Sequence, residues 1–242
     1  MKDLQLLRDD KHYYGDVGKQ YISNSDIGTL LSNPKEFGVS RPDNKNFAVG
    51  RYFHQCLLEP EKAREFPFVN VASRNTKAYK EAIAEAGTEV LLLQREKAEV
   101  DELVGAMLGN LQIYDMVYDE LNAYEVPAIG EVCGHMFKGK ADIVCKDILI
   151  DLKTTSNLND FRYSARKYNY DSQAYIYQTL FGKPLVFIAI DKTSHMMGIY
   201  RLSEEFVKGG RAKVEQAMEV YDKFYGDNPL EDIASFVHEE EL

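Results

Sequence analysis

The chain of 242 residues has no tryptophan, three cysteines, seven prolines, and fewer basic than acidic side chains, 29 against 39. Cys56, Cys133 and Cys145 show no C-x-x-C spacing. An odd number of such cysteines excludes a disulfide scaffold and a four-cysteine iron–sulfur centre, and fits a reduced, cytoplasmic protein with small buried thiols. No apolar run reaches the roughly 18 residues that span a bilayer. The opening Met1-Lys-Asp-Leu-Gln-Leu-Leu-Arg8 lacks the apolar stretch and small-residue cleavage site of a secretory signal. A net charge of −10 excludes a protein that coats nucleic acid through overall positive charge. The negative charge is uneven, because Glu231, Asp232, Glu239, Glu240 and Glu241 crowd the last twelve residues as a solvated tail.

Apolar residues, by contrast, are plentiful. At 45% hydrophobic content the chain can bury the core of one large α/β domain or two small ones. The most informative run is Gly139 to Thr155. Ala141–Cys145 and Ile148–Leu152 read as adjacent strands joined by Lys146-Asp147. The strand period of two puts Asp151 and Lys153 on one face, with Ile150 and Leu152 on the other. Asp142 can reach the same point from the neighbouring strand. Two carboxylates suit Mg²⁺ or Mn²⁺, and a lysine beside them suits a reaction that builds negative charge. Taken alone, a D-x-K triplet is more often an ordinary ion pair on a half-exposed strand, because such triplets are common.

The neighbours add to it. Glu125 lies in the strand-like Ala123–Pro127, and Gln173 and Tyr177 are i, i+4 neighbours on a helical segment, Asp171–Gln178. Between them, Phe161–Tyr170 interleaves Arg162, Arg166 and Lys167 with tyrosines, and helical spacing lets Arg162 and Arg166 grip a phosphate backbone together; an ordinary amphipathic helix is the alternative. Lys138 and Lys140 add positive charge near Asp142, so an acidic chain can still hold DNA in a local basic cleft.

This ordered set resembles the PD-(D/E)xK nuclease superfamily. The G-x-x-D, D-x-K and Q-x-x-x-Y pattern is most similar to its RecB-like and RecE-like branches. Gly50–Glu61 resembles the G…H…LEPE segment of RecE-type exonucleases (exodeoxyribonuclease VIII), and Ser23–Phe37 their N-terminal helix and S-P element. The resemblance spans roughly residues 20 to 225. It implies a restriction-endonuclease-like α/β fold, a central mixed β-sheet flanked by helices with an N-terminal helical extension. It implies Glu125, Asp142 and Asp151 as acidic metal ligands, the Leu152 carbonyl and His54 as further ligands, and Lys153 as the catalytic lysine. His54, beside Phe53 and Leu57, is otherwise an ordinary core or surface histidine. Gln173 and Tyr177 match the helix that faces DNA, with Arg162, Arg166 and Lys167 on the backbone. The cofactor implied is Mg²⁺, replaceable by Mn²⁺, with two ions per site. Lys140-Ala141 stands where the family often has Arg-Pro, which should alter a backbone contact and spare the chemistry.

Residues 1–242 read as one domain: a mainly helical part to residue 122, a catalytic core over 123–201, and a C-terminal helix with the acidic tail. Residues 1 to about 20 are expected to be irregular. Ser25 should cap a helix from Asp26 to Leu31, residues 49 to 64 should be helical, and 76 to 122 should hold two helices, one from Gln94 to about Leu111. Helices from about Asp160 to Phe181 and strands at Leu185–Ile190 and near Ile199-Tyr200 complete the core, and Ser203 should cap a last helix. By resemblance the activity is 5′ to 3′ exonuclease action on linear duplex DNA, leaving 3′ tails. The implied partners are duplex ends, further copies in a ring, and a RecT-like annealing protein. The competing readings are a structure-specific endonuclease and a non-catalytic DNA-binding module.

Overall fold

In the computed structural model, the described residues are 2–40, 42–237 and 239, so Glu240 and Glu241 of the expected tail lie outside them. The first twenty residues are more ordered than their composition implies, forming α1 (Lys2–Leu6) and α2 (Asp10–Tyr14). The Asp9 carboxylate accepts the Lys11 and His12 N–H groups at the start of α2, and Tyr13 is buried. Helix α3 (Asn24–Ser32) begins two residues before the expected position. Its N-cap is Ser23, whose N–H and hydroxyl both donate to the Asp26 carboxylate, at 2.8 and 2.7 Å.

The helix expected over 49–64 is two, α4 (Lys45–Leu58) and α5 (Pro60–Arg64). Pro60 cannot continue a helix but suits a first turn, so the break falls at Glu59. The next segment holds α6 (Lys77–Ala86), α7 (Gln94–Leu108) and α8 (Leu111–Val117), one helix more than expected. The division arises where Asn110 accepts the Ile113 N–H and restarts the chain as α8. Two short strands, β1 (Phe68–Val69) and β2 (Leu92–Leu93), pair in parallel.

The central sheet follows in the order β3 (Ala123–Val132), β4 (His135–Val144), β5 (Leu149–Thr155), β6 (Leu185–Asp191) and β7 (Met197–Arg201). Its pairs are antiparallel except β5 with β6, which are joined through α9 (Phe161–Lys167) and α10 (Tyr170–Phe181). Helix α11 (Glu204–Phe224) closes the fold, capped as expected by Ser203, whose Oγ accepts the Phe206 N–H. The result is α/β, a mixed sheet between helical layers. Ile143, Ile150, Leu152, Ile188 and Ile190 pack against α4, α7 and α8, while Leu149, Phe187 and Ala189 pack against α3, α10 and α11. A one-residue slip of β5 would drive Asp151 and Lys153 into the first of these layers and turn out side chains worth about 1.5–3 kcal/mol each when buried, so the register is firm. Among the described residues no helix is long and apolar enough to cross a membrane.

Candidate active site

The β4–β5 ladder stops after two pairs, Val144 with Leu149 and Ile143 with Ile150. The next residues, Asp142 and Asp151, stand at the fork. A side chain replaces the missing rung, since the Leu152 N–H donates to Asp142 Oδ2 at 2.7 Å. On β3, Tyr124 pairs with Ile143 and Val126 with Ala141, which sets Glu125 opposite Asp142. Glu125 has a left-handed φ of 49°. Such a conformation inside a strand costs a side-chain-bearing residue on the order of 1–3 kcal/mol. Its effect shows in the packing: Ala141 belongs to the α10 layer and Ile143 to the α4 layer, although alternate residues of a regular strand share a face. The hairpin rolls over at this point.

His54 reaches the fork from α4. Its Nδ1 lies 2.8 Å from the Gly50 carbonyl one turn back, and its Nε2 lies 3.0 Å from Asp142 Oδ2 and 2.9 Å from the Leu152 carbonyl. Burial alone would lower this imidazole, but the Asp142 carboxylate outweighs it and pushes His54 up to about 9. Burial would raise Asp142, and His54 beside it reverses the direction. Glu125 is raised to about 8, first by burial and then by Asp142.

Asp151 is buried at 2% exposure. Gln173 Nε2 donates to its Oδ1 at 2.6 Å, while Lys153 Nζ lies 2.6 Å from its Oδ2. That oxygen is buried, and the Lys153 ammonium is the group that neutralises it. Burial pushes Asp151 up to about 6 in spite of Lys153. Burial would depress Lys153, and Asp151 holds it above its ordinary value. The ammonium also sits 4.5 Å from the Tyr170 ring centroid and 5.7 Å from that of Phe187.

Of the expected ligands, His54, Asp142 and the Leu152 carbonyl meet at one point, with Asp151 and Glu125 at neighbouring strand positions. Among the described residues no three His, Cys, Asp or Glu side chains close on a single point. The convergence comes instead from His54 Nε2, Asp142 Oδ2 and the Leu152 carbonyl. With Nδ1–H directed at Gly50, Nε2 is the nitrogen that would turn a lone pair to a cation once its own proton is released. Mg²⁺ holds octahedral ligands at about 2.0–2.1 Å, which sets adjacent ligands about 2.9 Å apart, the spacing His54 keeps from both oxygens. The hard oxygens of Asp142 and the Leu152 carbonyl, with the Asp151 carboxylate beside them, fit Mg²⁺ or Mn²⁺.

Gln173 and Tyr177 lie on the α10 face turned to the sheet, and both are buried. The Tyr177 hydroxyl donates to the Lys140 carbonyl at 3.0 Å. Gly139 makes room for it: a β-carbon there would lie 2.9 Å from Tyr177 Cε1. In this structure both helix residues position the site's own strands. Arg162, Arg166 and Lys167 are exposed on α9, apart from the fork. Lys138 and Lys140 are buried against Tyr13, with Nζ atoms 4.4 and 4.6 Å from its ring centroid. Burial lowers Lys138 to about 8, and Lys140 pairs with Asp10 at 2.6 Å, so their charge is spent internally. Sequence reasoning passed over the Gly50 carbonyl, Tyr170 and Phe187, all of which orient site groups. The i−4 spacing of Gly50 from His54 is the one signal that could have been read.

Residues 32–228 match the family described as a PDDEXK-like domain of unknown function, DUF3799. Among solved structures the chain is similar to a protein from Eubacterium rectale named "Putative exonuclease", with 18% identity, a TM-score of 0.66, and cover of 97% of this chain and 95% of that one. That likeness shows a shared fold. The protein SSO0001 is more remote, at 14% identity and a TM-score of 0.40 over 90% of this chain and 84% of its own. A search of the curated proteins returns no match. The family match covers most of the chain and contains Glu125, Asp142, Asp151 and Lys153, so this chain belongs to the PDDEXK-like family DUF3799.

Proposed function

We propose that the protein is a metal-dependent nuclease that hydrolyses phosphodiester bonds in DNA. The observation that carries this reading is the strand fork, where His54, Asp142 and the Leu152 carbonyl converge beside the buried Asp151–Lys153 pair. His54, Asp142, Asp151 and Leu152 would hold one divalent cation, and Glu125 with Asp142 a second. A cation bound there supplies Lewis acidity toward phosphate and a nucleophilic hydroxide at neutral pH. The chain does the rest by positioning. Gly50 fixes the His54 tautomer, the Leu152 N–H fixes Asp142, and Gln173 turns the second oxygen of Asp151 toward the fork. Lys153, kept charged by Asp151 and flanked by Tyr170 and Phe187, is placed to stabilise negative charge on a phosphoryl oxygen or to orient the attacking water. Glu125 holds a proton near neutrality and releases it when positive charge enters the fork.

The finer reading is a RecE-like exonuclease that enters linear duplex at an end and degrades the 5′-ended strand. Arg162, Arg166 and Lys167 would hold phosphates, which carry no sequence information. A ring of copies and a RecT-like annealing protein would suit that activity. A non-catalytic module has no use for a desolvated lysine beside Asp151 and Asp142.

Two substitutions test the site. Asp151→Ala should abolish cleavage and weaken cation binding by calorimetry. Lys153→Ala should lower the rate on the order of 10²-fold or more while leaving cation binding nearly intact. Near-normal turnover in either variant would remove the fork from the chemistry.

A further inference from the structure

Beyond the fork, α9, the β6–β7 pair and the start of α11 enclose a cavity of about 460 Å³. That volume lies within the range of about 300–1,000 Å³ typical of small-molecule sites. Phe187, Tyr200 and Phe206 line it together with Arg162, Arg166 and Arg201. Phe161 stacks behind Tyr200, with ring centroids 4.4 Å apart and planes at 29°, which fixes the tyrosine ring as a flat wall. The Arg166 guanidinium lies 5.2 Å from the Phe206 ring centroid, and that of Arg162 lies 4.6 Å from the Tyr163 ring centroid. One carboxylate competes, Glu205, which is 3.8 Å from Arg166 and 91% exposed. Arg201 has no ion pair among the described residues.

Flat aromatic walls with a surplus of guanidinium groups match one ligand chemistry, a planar base joined to a phosphate. Bases stack on aromatic rings and on arginine planes, and guanidinium binds phosphate oxygens bidentately. An acidic peptide would satisfy the arginines and leave the aromatic walls without a partner. Phe187 stands between the cavity and the fork, its ring centroid 5.7 Å from Lys153 Nζ. We infer that this cavity binds one deoxynucleoside monophosphate unit, the base against Tyr200 and Phe206 and the phosphate on the arginines. Resting on the nuclease reading, its source is either an unpaired nucleotide of the DNA strand or the released mononucleotide.

The test uses the full-length protein in EDTA, so that it does not depend on cleavage. Calorimetric titration with dAMP should give saturable one-to-one binding with a Kd below about 1 mM, and deoxyadenosine should bind at least about tenfold more weakly. Phe206→Ala and Arg166→Gln should each weaken dAMP about tenfold, the scale of one lost stacking or charged contact, in variants whose circular dichroism shows that they remain folded. Displacement of dAMP by a duplex with one unpaired 5′ nucleotide, and not by a blunt duplex, assigns the cavity to the strand. Displacement by neither assigns it to the free mononucleotide. Absence of saturable dAMP binding, or binding unaltered in both folded variants, overturns the inference. Cleavage measured separately with Mg²⁺ tells the two readings apart: dAMP binding without cleavage retains the cavity, and cleavage without dAMP binding retains the nuclease.

Discussion

His54 sets two ring nitrogens against three oxygens, those of Gly50, Asp142 and Leu152. Without a cation, that arrangement favours the doubly protonated ring, which is why the group rises to about 9, while Glu125 rises to about 8. Both values lie above neutrality, so both groups hold protons at pH 7 in the cation-free protein. A bound cation needs them deprotonated. Mg²⁺ or Mn²⁺ binding should therefore release one to two protons at about pH 7, and affinity should strengthen from pH 6 to 9. Calorimetry in two buffers of different ionisation heat reads the release directly. His54→Ala should remove part of it and raise the cation concentration required. Proton-neutral, pH-independent binding would return His54 to a purely structural role. The histidine was legible in sequence only through resemblance. Its local reading, a ring between Phe53 and Leu57, gave no hint that the neighbouring strands would part to receive it.

At the level of elements, α10 is the strut between sheet and site, and its position depends on α11. A β-carbon on Gly210 would lie 1.9 Å from the Asp171 carbonyl oxygen. Gly210→Ala must push the two helices apart, and Gln173, two residues on, would lose its grip on Asp151. The expected cost is about 1–3 kcal/mol in stability, with a fall in activity. An unchanged melting temperature would show that the helices can separate freely. At the other side, Glu96 near the start of α7 accepts from Arg74 at 2.6 Å and from the Leu93 N–H at 2.9 Å. Burial would raise this carboxyl, but Arg74 and its other partners take it down to about 2. Its folded value lies below the unfolded one, so its contribution is present above about pH 4.5 and fades as pH falls toward 2. Glu96→Gln should be destabilised by about 2–3 kcal/mol at pH 7, and denaturant titrations should show the gap closing in that acid window. The same gap at every pH would assign the loss to packing. Strands β5 and β6 and the end of β4 from Ala141 were legible because their Ile, Val and Leu content is local, whereas the first half of β4, from His135, was not. The break at Glu59, the division at Asn110 and the order in α1 and α2 were missed, because capping and tertiary burial decide them.

The whole molecule reconciles an acidic composition with a proposed polyanionic substrate by spending charge locally. Lys138 and Lys140 are sealed under Tyr13 and Asp10, whereas Arg162, Arg166 and Lys167 stay exposed on α9. If Arg162 and Arg166 meet phosphates there, changing both to Ala should flatten the salt dependence of DNA binding by roughly one or two ion equivalents. An unchanged slope would move the DNA path elsewhere. The D-x-K strand, Glu125 and the α/β class could be read from local pattern and resemblance. The fork itself could not, because where β4 and β5 stop pairing and the left-handed backbone of Glu125 opposite are not set by local pattern. Digestion of linear duplex, labelled at the 5′ or 3′ end, beside a covalently closed circle tests the central claim most directly. With Mg²⁺ the linear duplex should lose 5′ label first and the circle should survive, and EDTA or Asp151→Ala should stop the digestion. Cleavage that persists in EDTA or in the Asp151 variant, or circles cut as readily as linear ends, would contradict the account.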